Sequence, residues 1–199
     1  MMDKERFERQ KAFLLELDQE KNILRQTHLS RHGRRENDAE HAWHMAVAAY
    51  VLREYANEEI DIGRVLIMCL LHDVVEIDAG DTYAYDQAGK ATEHDREEKA
   101  ADRIFGLLPP DLAQELRGIF EEFEERKTPE AKFARVMDNL QPLMLNISND
   151  GMDWKSRGIA LTQVQERNAR NSEGSKALAE EITNWLTEQA DKGNLRNSQ

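Results

Sequence analysis

Cysteine, proline and long apolar runs are scarce in this sequence, and each scarcity narrows what the chain can be. Cys69 is the only cysteine among 199 residues, which excludes an intrachain disulfide and suits a reducing cytosol. No window reaches the roughly 18 apolar residues of a membrane span. The N-terminal MMDKERFERQ has no apolar core of signal-peptide type, so a soluble, cytoplasmic protein without a membrane partner is expected. Strand-like alternation is nearly absent, and four prolines, ten glycines and 7% aromatics favour helices over sheets. Positive charge is also short. A formal net charge of −12 repels long polyanions and argues against a nucleic-acid polymer as partner, while a small anionic metabolite held through a metal stays open.

What is present is a helical vocabulary. With 40% hydrophobic residues, the chain can bury a full core and is expected to form one compact all-α domain over residues 1–199. Phe7, Leu14, Leu17 and Leu24, with Phe13 and Ile23, keep helical spacing from Asp3 to about Arg25, so this helix should dock by one face. A stretch carrying Arg25, Arg31, Arg34 and Arg35 then loses the period, as a solvated basic loop or a phosphate clamp would. Asn37 or Asp38 can cap a helix reaching about Ala56, with Ala42, Met45, Ala46, Ala49 and Leu52 inward. Asp61 caps a central helix from Ile62 to about Ile77, apolar almost all round. A glycine-punctuated loop with Asp78, Asp81, Asp86 and Lys90 follows, then a helix from Thr92 that stops at Pro109-Pro110. Asp111 opens the next, Thr128-Pro129-Glu130 restarts another, and helices over about 156–191 complete the packing. The segment NDGMDWKSRG is read as a loop, and the tail after Gly193 as loose.

The central helix ends in His72, Asp73 and Glu76, ionisable groups where burial would normally exclude them. A bound cation could repay that cost, because neutral imidazole with carboxylate suits several divalent ions. It would also reverse the unfavourable placement of acids at a helix C-terminus. Two ligands are too few, and His41 on a preceding helix and Asp138 beside the stripe Phe133, Val136, Met137 and Leu140 are candidates for the remainder. His44, three residues from His41, is read as structural, and Cys69 as a small buried hydrophobe.

His41, His72-Asp73 and Asp138 resemble the H…HD…D signature of the HD-domain metal-dependent phosphohydrolases. The segments RRENDAEHAWHMA, LLHDVVEIDAGD, EEKAADRIFGLLP and EEFEERKTPEAKFARVMDNLQP look like the branch with the bacterial 5′-deoxynucleotidases and human HD-domain-containing protein 2, over roughly Ile23 to Asn146. The resemblance implies an HD-domain helical bundle with its metal-binding core at about 23–146. His41, His72, Asp73 and Asp138 would bind one divalent ion, of manganese, cobalt, magnesium, zinc, iron or nickel. Glu76 and Asp81 match the family's catalytic acids, and Arg25 lies near where deoxynucleotidases place an arginine against substrate. Gln26 follows it where the bacterial enzyme has tryptophan, a departure that bears on base recognition and on the preference for deoxy substrates.

The implied activity is release of phosphate from (deoxy)nucleoside 5′-monophosphates. Glu76 would orient or deprotonate water and Asp81 protonate the leaving alkoxide, or the reverse. An HD-type phosphodiesterase or nucleoside polyphosphate hydrolase is the runner-up, and a non-catalytic metal-stabilised binding protein a reading of another class. A homodimer is expected, with the amphipathic terminal helices offering faces for it.

Overall fold

The computed structural model describes residues 2–81 and 92–196; Asp86 and Lys90 of the expected loop lie outside the described residues. Helix α1 (Lys4–Leu17) starts where the Asp3 carboxylate accepts the Arg6 N–H, a side-chain cap for an otherwise unpaired donor. A 3₁₀ turn (Asp18–Asn22) leads into an antiparallel hairpin of β1 (Leu24–His28) and β2 (Arg35–Asn37). Asn37 and Glu40 close a reciprocal capping box at the start of α2 (Asp38–Leu52). Asp61 caps α3 (Ile62–Leu71), and α4 (Glu76–Ala79) follows one turn later. Then come α5 (Glu93–Phe105), α6 (Pro110–Glu125), α7 (Pro129–Ser148), α8 (Met152–Arg157), α9 (Leu161–Asn168) and α10 (Lys176–Asp191).

Helices α2, α3 and α7 pack on one another at the centre. Met45 and Ala49 of α2, Val65 and Met68 of α3, and Phe133, Met137 and Leu140 of α7 are buried there. A second apolar cluster joins Phe13 of α1 to Ala101, Ile104 and Phe105 of α5 and to Leu71, Val74 and Val75. His72 and Asp73 sit at the seam between the two clusters. Apolar packing on both sides therefore fixes the backbone that carries them.

The expected helical fold stands, with five local corrections. The basic stretch after Ile23 is the small hairpin, whose pairing runs between Leu24 and Asn37 across a gap that local periodicity does not report. The first helix docks through Phe13, whose ring stacks on Phe105, and not through Phe7 or Leu14, which are exposed. Helix α3 ends at Leu71, and the chain tightens into i→i+3 turns before α4, as in the Glu76 N–H to Asp73 carbonyl bond at 2.8 Å. NDGMDWKSRG contains α8, anchored by buried Trp154, and the tail is tied down at Arg196, whose N–H donates to the Ile159 carbonyl at 3.0 Å.

Candidate metal centre

Three helical segments converge to bring four predicted residues together: His41 from α2, the pair His72-Asp73 from the turn after α3, and Asp138 from α7. His41 Nε2 lies 3.4 Å from Asp138 Oδ1 and 4.0 Å from Asp73 Oδ2. His72 Nε2 lies 3.0 Å from Asp73 Oδ2 and 3.6 Å from Asp138 Oδ1. His41, His72 and Asp138 are buried.

The back side of each imidazole decides what its front can do. Gln141, wholly buried, donates from Nε2 to the Glu36 carboxylate at 2.8 Å, so its oxygen faces His41. His41 Nδ1–H donates to that oxygen at 2.8 Å, and the Nε2 lone pair is left toward the carboxylates. His72 Nδ1–H donates to the Cys69 carbonyl at 3.0 Å with the same result. Both Nε2 atoms are buried without a hydrogen bond. Two lone pairs aimed at two carboxylates are repulsive unless a cation or proton lies between them, and donor atoms about 3–4 Å apart suit an ion with ligand bonds of about 2 Å. The cluster is thus compatible with a divalent metal site.

Electrostatics agree. Burial, then the Arg25 charge, lowers the His41 pKa to about 4, which keeps it the neutral ligand. Burial opposes charge on His72 as well, yet Asp73 and Asp138 outweigh it and push the pKa up to about 10, so these carboxylates draw positive charge to this corner of the site. Cys69 is buried and its thiol is pushed up by that burial, as a structural cysteine should be.

A cavity of about 230 Å³ opens onto the cluster, lined among others by Arg25, Glu76, Asp81, Arg135 and Asp138. Carboxylate oxygens of Glu76, Asp73 and Asp38 come within 4.8 Å of one another, and Glu76 Oε2 is buried without a partner. Asp81 stands half-buried on the wall. Arg25 turns inward from β1: Nη1 lies 2.5 Å from Asp73 Oδ2 and 3.3 Å from Asp38 Oδ1, while Nη2 makes no hydrogen bond among the described residues. The hairpin is pinned for this by Asp153, which accepts the His28 N–H at 3.0 Å, and by Asn149 on the Leu29 carbonyl at 2.9 Å. Arg31, Arg34 and Arg35 stay exposed outside the cavity, and Arg34 pairs with Glu40. His44 Nδ1 accepts from Gln141 Nε2 at 3.2 Å, a structural contact. Sequence reading missed Gln141, Glu36, Asp38 and Arg135; Gln141 and Arg135 each stand three residues from Asp138, a helical spacing that flags them.

Comparison with known proteins adds an independent line. A family model described as HD domain matches residues 17–179. The chain is 33% identical over 122 residues to human 5'-deoxynucleotidase HDDC2, covering 61% of this chain and 58% of that protein. The mouse protein of the same name is 35% identical over 109 residues, 55% and 53% of the two chains. The chain thus spans a little over half the length of these curated relatives. Among solved structures, a predicted metal-dependent phosphohydrolase from Magnetospirillum magnetotacticum MS-1 superposes with a TM-score of 0.92 at 45% identity, over 98% of this chain and 99% of that one. The PH0347 protein from Pyrococcus horikoshii shares the fold, with a TM-score of 0.61 at 21% identity over 90% and 99%.

Proposed function

Because the chain belongs to the HD-domain family, we propose that it is a metal-dependent phosphomonoesterase acting on nucleoside 5′-monophosphates, the deoxy forms among them. One observation carries the reading: two buried Nε2 atoms, each oriented by a hydrogen bond behind it and unpaired in front, face Asp73 and Asp138 at the foot of an open cavity. The names of the human and mouse relatives support the substrate class.

In this reading His41, His72, Asp73 and Asp138 hold one divalent ion. When bound, such an ion supplies Lewis acidity toward a phosphoryl oxygen and acidifies water toward neutrality. Glu76, whose pKa burial raises well above the usual carboxylate range, orients the attacking water through the unpaired Oε2 and, when ionised, takes its proton. Asp81, whose pKa is raised chiefly by burial, protonates the leaving alkoxide from the cavity wall. Arg25 steadies Asp73 through Nη1 and offers Nη2 to substrate phosphate. The test is phosphate release from ribo- and deoxynucleoside mono-, di- and triphosphates, using metal-stripped protein refilled separately with manganese, cobalt, magnesium or zinc. Release from monophosphates is the expected result; release from triphosphates alone, or from none, overturns the proposal.

The same reading takes residues 1–199 as one cytosolic domain; among the described residues, no helix is long and apolar enough to cross a membrane. It also takes the protein as a homodimer. Trp43, Val47, Tyr50 and Val51 lie along one face of α2, and with Ile67 and Leu70 of α3 they form an exposed apolar surface.

A further inference from the structure

Opposite the histidines, the cavity wall is basic. Asp138 turns Oδ1 to the imidazoles, while Oδ2 accepts from Arg135 Nη1 at 2.9 Å and lies 3.7 Å from Arg167 Nη2. Arg135 also donates from Nη2 to Glu124 at 2.9 Å, and its guanidinium rests 4.2 Å over the Phe123 ring. Its Nε is buried without a partner. Arg126 lines the same wall, half-buried, and its guanidinium makes no hydrogen bond or ion pair among the described residues. Burial, then the neighbouring Arg135 charge, lowers the Arg126 pKa, as expected of a cation lacking a counter-ion.

The guanidinium groups of Arg126, Arg135 and Arg167 thus line this side of the cavity with the carboxylates of Asp138, Glu124 and Asp81, and Asp138 is shared with the histidine side. In a chain of net charge −12, Arg126 is a guanidinium of this wall that no carboxylate pairs with among the described residues. Planar forks with open N–H groups select phosphate oxygens.

We propose that Arg126 and Arg135 form a phosphate subsite, which binds the dianionic phosphate of a monoester on the Asp138 side of the metal centre. The inference rests on the phosphohydrolase reading and names residues that hold the group to be cleaved. Arg126 fits the role without being needed by the fold. It ends α6 in the left-handed conformation, φ 54° and ψ 38°, where glycine closes the turn at lower conformational cost. Arg126→Gly therefore separates binding from folding.

The experiment is calorimetric titration of inorganic phosphate into manganese-loaded wild type, R126G, R126Q and R53Q, the last removing one exposed charge outside the cavity. Phosphate should bind roughly 10-fold more weakly to both Arg126 variants, one charged hydrogen bond's worth, and R53Q should match wild type. Metal content should be unchanged, and the Tm of R126G equal to or above wild type. No phosphate binding by wild type at millimolar concentration, unchanged affinity in both Arg126 variants, or equal weakening in R53Q overturns the subsite. KM measured in parallel on a nucleoside monophosphate and on para-nitrophenyl phosphate should rise for both substrates; a rise confined to the nucleotide assigns Arg126 to the nucleoside and overturns it too. If wild type releases no phosphate yet binds it through Arg126, only the phosphohydrolase reading falls. If it turns over with Arg126 variants unchanged in affinity, only the subsite does.

Discussion

Replacing Gln141 by leucine tests whether the hydrogen bond behind His41 makes that ring a ligand. Gln141 is fully buried, accepts the His41 Nδ1–H at 2.8 Å and donates to Glu36 at 2.8 Å. Leucine nearly matches its volume but removes both contacts, and with them the 3.2 Å bond to His44 Nδ1. His41 then has no reason to keep the proton on Nδ1, and the tautomer with the proton on Nε2 cannot bind a cation. A lost hydrogen bond of about 1 kcal/mol shifts that equilibrium roughly 5- to 10-fold, so metal affinity should fall by up to about the same factor. Stability should fall as well. A buried N–H and a buried carboxylate left unpaired cost on the order of 3 kcal/mol together, about 6–12 °C in Tm for a chain of this size. Affinity is read by competition with a chromogenic chelator, and Tm by calorimetry on the stripped protein. Ile182→Ala, in buried core of α10, supplies a comparable loss of stability without touching the site. If Ile182→Ala weakens metal binding as much as Gln141→Leu, or Gln141→Leu leaves it unchanged, the tautomer argument is refuted.

Three further outcomes are expected. Glu76→Gln should keep the fold and the bound metal while phosphate release drops roughly 100- to 10,000-fold; near-normal turnover would remove Glu76 from the chemistry. Glu20, buried with Oε1 unpartnered, has its pKa pushed up to about 8 from 4.5, by burial first and then by Asp73. The folded state holds the proton that the unfolded state releases above pH 4.5, so stability declines as pH rises from about 4.5 to 8. The full difference is worth up to about 5 kcal/mol. Glu20→Gln in the stripped protein should flatten that decline, and parallel Tm–pH curves for variant and wild type would refute the assignment. Val51→Glu, on the exposed face of α2, should convert a dimer to a species of 23.0 kDa in light scattering; a wild type already at that mass contradicts the dimer.

Helix type and most inward faces were readable from spacing alone. Ala100, Ala101, Ile104, Phe105 and Leu108 are all buried as their period requires, and Thr128-Pro129 starts α7 with a hydroxyl cap on the Ala131 N–H. The four residues that meet at the centre were identifiable as well, because ionisable groups on apolar stripes need a partner wherever the stripe is buried. Local spacing reports only neighbours within a few turns, and the rest depends on longer-range packing. The hairpin pairs residues across a turn, and its docking against Asp153 and Asn149 swings Arg25 inward to Asp73. The break after Leu71 falls where the segment passes from one apolar cluster, with Met68 and Cys69, to the other, with Leu71, Val74 and Val75. Gln141 became visible as the orienting group only once α7 lay against α2, because a hydrogen bond between residues 41 and 141 is set by packing and leaves no mark in either segment. Composition and period determined which side chains had to be buried; the tertiary structure decided which lone pairs and charges they face there.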